Sequence, residues 1–354
     1  MSESASPSVK IKVGGNEVED SDFQSYVVDL DMFQPDMASV VLSNQADKFT
    51  GGESTVEIGG ELEVGVGSGT TPIFKGEVVA IEPIYKGGEK SKVLIRGMSK
   101  LHRMLRARKS KTYSEMSDKD IMSQVISAAG MSAKWEADIS IKYKHVYQHN
   151  QTDLEFLRVR AARIGVHLWC VGNEVFIQKP KLDQAPVLEL KVDESGSGTL
   201  RSFNPRMSAA SIVKKVVVKG WNPEKKELIT GEAQPEGSKL GSKKAQDSVG
   251  ELAGAETFTV DHPIWSKEEA DILAKARMRE LSLGFITGEA IASGDAKYQL
   301  GKTVKIVANA MKQDDRFNGN YYIMGVTHRH MGNKKENGGA LSILKLARDM
   351  AGPG

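Results

Sequence analysis

The first ordered pattern in the chain is an alternation. Val9, Ile11 and Val13 stand against Lys10 and Lys12, and a period of two is that of a strand with one buried face. Leu62, Val64 and Val66 repeat it against Glu61, Glu63 and Gly65. Strand-like runs cover residues 39–42, 73–81 and 92–96, and the pairs Gly51-Gly52, Gly59-Gly60 and Gly87-Gly88 punctuate them as turns. Residues 9–110 therefore read as an antiparallel β domain, a barrel or sandwich, behind a loose tail at 1–8.

The period then changes. Ser117 precedes Asp120 and the run Ile121, Met122, Val125, Ile126, closed by Gly130. Thr152 and Glu155 stand in the same relation before Leu154, Leu157, Ala161 and Ile164, closed by Gly165. Ser266 and Glu269 precede Ala270, Leu273, Ala274 and Leu281, closed by Gly284. A hydroxyl that accepts from the N3 amide, with an N3 acid answering the N-cap amide, starts a helix. A glycine free to turn left-handed ends it. Gly172-Asn173 between two apolar runs predicts a two-residue hairpin. Residues 111–185 read as a small α+β insertion.

Strands resume at 212–219, 303–307, 321–327 and 341–346, giving a second β domain over 186–348 with a helix at 266–283. Residues 231–257 show little periodicity and read as a mobile loop. Residues 349–354 read as a tail. The two β regions share a plan. Leu62-Glu63-Val64, Phe74-Lys75-Gly76, Val78–Ile81 and Val93-Leu94-Ile95 are matched by Val304-Lys305-Ile306, Phe317-Asn318-Gly319, Tyr321–Met324 and Leu341–Leu344. Either two Gly-turned hairpins look alike, or one barrel occurs twice around an insertion.

Composition narrows the function classes. The chain has 354 residues, room for two or three domains. Lys plus Arg number 48 and Asp plus Glu 46, so no whole-protein field steers the chain toward nucleic acid or an anionic membrane. One cysteine, Cys170, excludes an intrachain disulfide and a multi-cysteine zinc site, and its apolar neighbours Trp169 and Val171 make it a buried thiol. The N-terminus lacks an apolar signal core and no run is long enough to span a bilayer, so synthesis in the cytoplasm and no direct membrane insertion are expected.

Candidate chemistry is sparse. His145 and His149 fall in a strand-like run, where four residues apart is far apart. His328 and His330 share a strand face without a visible third ligand. Asp29, Asp31, Asp314 and Asp315 are ordinary in a chain this rich in acids. The basic run Arg103, Arg106, Arg108, Lys109, Lys111 lacks interleaved aromatics for stacking bases and reads as a connector or charged protein contact. No catalytic, cofactor-binding or metal residue is assigned, and no cofactor is expected.

Three stretches carry a resemblance. Val146 through Leu157, with Gln148, Thr152, Asp153, Phe156 and Leu157, leads to Gly165. Val216 through Pro223 is followed by Lys226, Ile229, Gly231 and Ala233. Leu300 through Ile306 leads to Phe317 through Ile323, then Val326-Thr327-His328. In this order they resemble the phage late control gene D and VgrG family over about residues 9–348. The resemblance implies a mainly β fold with two tube-like antiparallel β-barrel domains and a small α+β insertion, assembling as a pseudo-sixfold homotrimer. It implies a baseplate hub of a contractile phage tail or phage-tail-like injection particle, joining a hexameric inner tube protein to a trimeric spike beside wedge or sheath-associated proteins. The chain ends soon after the second barrel, so a separate spike protein is expected, and no enzyme activity. Two rivals belong to other classes. A carbohydrate-binding β module would want clustered exposed aromatics, whereas Trp135, Trp169, Trp221 and Trp265 are dispersed. A cell-wall hydrolase would want a paired-carboxylate constellation.

Overall fold

The alternating runs form strands in the computed structural model, which describes residues 9–66, 72–139, 141–192, 199–260, 263–331 and 339–354. The expected tail at 1–8 lies outside the described residues. The first half contains β1 (Val9–Val13), β2 (Phe23–Asp31), β3 (Met37–Ser43), β4 (Glu61–Val66), β5 (Phe74–Ile84) and β6 (Lys92–Met98). They lie antiparallel in the order β2-β3-β6-β5-β4-β1. Ile11, Val28, Val40, Leu62, Val93 and Ile95 point into one core, as the period of two requires.

The middle region holds β7 (Arg108–Ser117), α1 (Asp118–Ala128), β8 (Ser132–Glu136), β9 (Lys142–Thr152), α2 (Asp153–Ile164), β10 (His167–Val171) and β11 (Glu174–Gln178). Both helices start with reciprocal capping boxes, Ser117 with Asp120 and Thr152 with Glu155, and Gly165 closes α2 at φ 67°. β10 and β11 form the predicted hairpin, and β8 adds a parallel strand to β11. The core of this region begins at Leu101 and Met104, before the boundary the sequence suggests.

The second half runs β12 (Glu189–Lys191), β13 (Leu200–Met207), β14 (Val213–Asn222), β15 (Glu227–Ala233), α3 (Ala245–Val249), β16 (Gly254–Thr259), α4 (Lys267–Leu283), β17 (Ile286–Ser293), β18 (Thr303–Val307), β19 (Gly319–Met331) and β20 (Ala340–Arg348). β14, β15 and β16 make a separate three-stranded sheet under α4. The remaining strands lie in the order β13-β17-β20-β19-β18-β12. This is the strand order of the first half, one strand for one strand. Only the outermost pairing differs: β1 is antiparallel to β4, whereas β12 is parallel to β18. Even the irregularities recur. β5 bulges between Val78 and Ala80 where β19 bulges between Ile323 and Gly325, and β2 and β13 share a bulge near their starts.

The repeated plan is therefore real at the level of strands, but its register is not the one read from the sequence. Phe74 faces Val64 and Gly319 faces Ile306, so Phe74 occupies the place of Gly319 and not of Phe317, which lies in the preceding turn. Residues 231–257 also differ from expectation. Leu240, Ala245 and Ala253 are buried, α3 lies within the segment, and β16 pairs with β14. Three apolar anchors spaced too irregularly to show a period are enough to fix it. The expected tail at 349–354 is likewise packed: Met350–Ala351 pair with Lys243–Lys244, and Asp349 is buried. At α4, Ser266 caps as predicted, but Glu269 accepts from the Trp265 amide and pairs with Arg163, and Gly284 stays right-handed at φ −76°.

All three regions meet in one small core. Met32 comes from the first half, Trp169 from the middle, and Leu240, Leu300 and Tyr322 from the second. The Tyr322 hydroxyl lies 3.0 Å from His167 Nδ1, and Phe33 meets the same imidazole edge-on. Arg163 of α2 reaches Glu269 of α4 at 2.8 Å.

Candidate assembly edges

β19 changes partners along its length. Gly319–Tyr322 pair with β18. The bulge at Met324 bends the strand, and from Gly325 onward the same edge pairs antiparallel with β2, while β20 holds the other edge. This joint fuses the two halves into one 13-stranded sheet. Next to the bulge Val326 lies opposite Leu30; Val326 is buried and Leu30 packs against both half-cores. On the next rung the Thr327 hydroxyl donates to Asp29 at 2.6 Å. Lys345 reaches Asp31 beside it at 3.5 Å.

The counterparts of these strands are open. Past its bulge, β5 pairs with β6 on one edge, and among the described residues no strand takes the other. β13, the counterpart of β2, pairs along its length with β17; its other edge carries an isolated bridge from Leu200 to Val192, and among the described residues no strand takes that edge over 202–207. The half-buried Ile81 and Met207 stand where Val326 and Leu30 stand in the joint, and the exposed Glu82 and Arg206 stand where Thr327 and Asp29 stand. Each open edge carries a proline, Pro83 and Pro205. Proline lacks an N–H and is tolerated in a strand only where that side faces away from the ladder. The Ser208 amide donates to Phe285 on the β17 side, so the alternating positions Met207 and Pro205 face outward. Such prolines guard an edge against indiscriminate pairing.

The sheet face turned away from the two cores carries ion pairs across its strands. Lys12 with Glu63, Lys75 with Glu61, Arg96 with Glu82 and Lys305 with Glu189 lie within 2.6–3.8 Å. Exposed pairs of this kind add little stability.

The residues singled out by type are engaged in the fold. His145 and His149 are exposed on β9; the first meets Ser114 at 3.2 Å and the second packs beside Tyr147. His328 is buried against Ser342 at 2.9 Å, and His330 stacks on Tyr26. Among the described residues no cluster of three His, Cys, Asp or Glu side chains suits a metal. Burial pushes the Cys170 thiol up to about 12, which leaves it protonated and unreactive at neutral pH. Asp31 accepts from the Phe33 amide and Asp315 from the Phe317 amide. The basic run is spent within the chain: Arg103 on Glu77, Arg108 on Glu155, Lys109 on Asp153, and Lys111 over the Tyr113 ring.

A cleft of about 450 Å³ opens between the β10–β11 hairpin and the turn before β18. Trp169 and Phe176 stack on its wall at 5.4 Å, with Lys134 over Phe176. Trp169 is only 6% exposed, so it offers little ring surface to a ligand. Sequence reading missed β2, β13 and β17, and with them both the joint and one open edge.

The fold is one known from tail proteins. A 43 kDa tail protein of prophage MuSo2 from Shewanella oneidensis superposes with a TM-score of 0.71 at 12% identity, over 97% of this chain and 99% of that one. A tail protein from Neisseria meningitidis gives 0.72 at 13% identity, over 97% of both chains. An Escherichia coli component of the type VI secretion system gives 0.62 at 10% identity, over 95% of this chain and 76% of that one. No curated protein matches the chain by sequence. The fold is thus shared with tail proteins and with a type VI secretion component, whereas the late control gene D and VgrG family expected from the sequence is not the one shown: the family model that matches, over residues 4–331, is the Alg8 N-terminal domain. With most of its length under that match, the chain belongs to the Alg8 N-terminal domain family.

Proposed function

We propose that the chain is a structural hub component of a phage tail or phage-tail-like injection particle. In this reading three copies form a ring that adapts a sixfold inner tube to a threefold spike supplied by a separate chain. Wedge or sheath-associated proteins would surround the ring. The observation that carries the reading is the repeated half-sheet with its internal joint. Two half-sheets of one chain already sit edge to edge as neighbours, so three chains would present six similar half-sheets to a sixfold partner. The shared fold with tail proteins supports the same reading.

No chemical turnover is assigned to the chain. Its task is to hold shape while force passes, and the common core of Met32, Trp169, Leu240, Leu300 and Tyr322 suits that by locking three regions together. Neither rival gains a specific observation: the Trp169 ring is largely covered, and Asp29, Asp31 and Asp315 are tied to neighbouring side chains and backbone amides.

Light scattering on purified protein tests the reading. Three chains of 38.5 kDa give a particle of roughly 115 kDa. A chain that stays monomeric, and that binds neither tube nor spike protein when these are added, refutes it.

A further inference from the structure

We propose that the open edge of β5 docks antiparallel on the open edge of β13 in a neighbouring copy of this chain, in the register of the internal β2–β19 joint, so that Glu82 meets Arg206 of that copy. The inference rests on the ring reading for the number of copies; the contact itself follows from the strands.

The internal joint is a template. It pairs the post-bulge part of β19 with β2. The post-bulge parts of β5 and β13 are the same two strands in the repeated plan, with the same bulges, and among the described residues each lacks this one neighbour. In the strand order they stand far apart, β13 at one end of the second half and β5 inside the first half, and within the chain the two do not pair with each other. A head-to-tail contact between two different edges is the type that closes into a ring.

Transposing the register sets four rungs. Ile81 falls opposite Met207, Glu82 opposite Arg206, Pro83 opposite Pro205, and Ile84 opposite Asn204. Three of the four rungs have a chemical reason. Ile81 and Met207 are half-covered apolar side chains that would bury each other, as Val326 and Leu30 do. Glu82 and Arg206 are opposite charges on the rung where Thr327 and Asp29 touch within the chain. The Pro83–Pro205 rung has no N–H on either side and contributes no hydrogen bond. The joint therefore depends on side-chain match, and a foreign strand without that match gains little by pairing here. Glu82 also pairs with Arg96 of its own strand neighbour, which holds its carboxylate on the correct face.

The Glu82–Arg206 rung is one at which backbone hydrogen bonds point away from the partner strand. Such rungs bring Cα atoms to about 4.5 Å, inside the range a disulfide spans. The test is a chain carrying both Glu82→Cys and Arg206→Cys, oxidised and run on a denaturing gel without reductant. The control chain carries Asp29→Cys and Thr327→Cys, which the internal joint places on the equivalent rung. The expected result is covalent trimer from the first chain and an intrachain disulfide in monomer from the second. If light scattering finds trimer and the control oxidises, yet the first chain stays uncrosslinked, the joint is wrong and the hub reading stands. If the protein is monomeric at every concentration, and no interchain disulfide appears with tube and spike present, joint and hub reading fall together.

Discussion

His328 illustrates how a residue can be read correctly as a non-ligand and still matter. Its ring is 2% exposed with Nδ1 against Ser342, and burial pulls its pKa from 6.5 down to about 4. The folded chain keeps this imidazole neutral, whereas the unfolded chain protonates it near pH 6.5. The unfolded state thus binds the extra proton between those values, and stability is fully present above pH 6.5 and lost as pH falls toward 4. From pH 7 to pH 5 the loss is about 2 kcal/mol for this one group. Buried acids such as Asp36 and Asp349 are shifted upward by burial and act in the opposite sense, so the comparison must be with a variant. His328→Asn should unfold in urea with a pH 7 to pH 5 change smaller than wild type by that amount; an unchanged difference would mean that the ring opens to solvent or carries its proton in the fold. Arg348 is the other telling residue. It is fully buried, lies over the Tyr321 ring, and donates to the carbonyls of Asn318 and Gly352. Nothing local in the sequence marks an arginine that clamps main-chain carbonyls, which is why the C-terminal segment read as a tail.

Local grammar made the helices legible and contact grammar did not make the joint legible. The caps of α1 and α2 are interactions over three residues, so the sequence window that contains them contains their cause. β2 and β13 are different. Within β2, Val27 stands next to Val28 and Asp29 next to Leu30, because its outward face meets another strand's side chains rather than water alone. Pro205 and Arg206 obscure β13 in the same way. The register of the repeat was displaced because a phenylalanine in a turn, Phe317, looks like one in a strand. Packing of α4 on its sheet shows the same limit at a single position. A Cβ on Gly231 of β15 would come within 2.2 Å of the Ala270 backbone, while one on Gly254 of β16 would meet nothing within 4 Å. Gly231→Ala should therefore cost about 1–3 kcal/mol through overpacking, and Gly254→Ala less than about 0.5 kcal/mol. Urea midpoints of the two variants measure this, and equal midpoints would show that α4 does not sit this close to β15.

At the scale of the whole molecule the unusual property is that one chain contains both a finished joint and the two halves of an unfinished one. Two rungs of the internal joint already have their side chains matched within the chain, Leu30 with the buried Val326 and Thr327 with Asp29. On β5 and β13 the outward-facing amides at the corresponding positions have no ladder partner among the described residues. Hydrogen exchange should separate the two cases in a single experiment. In dilute protein that light scattering shows to be monomeric, the outward-facing amides of 80–86 and 200–207, among them Ile81 and Met207, should exchange rapidly, while those of Glu82 and Arg206, which face β6 and β17, should be slow. Peptides covering 25–31 and 325–330 should be slow under the same conditions, since their ladder is internal. On assembly the first two should become slow together and the second two should not change. Protection of 80–86 without 200–207 would point to a partner other than a second copy at that edge. Protection of neither would mean that assembly, where it occurs, uses another surface, and that the repeated half-sheet serves only to build the chain.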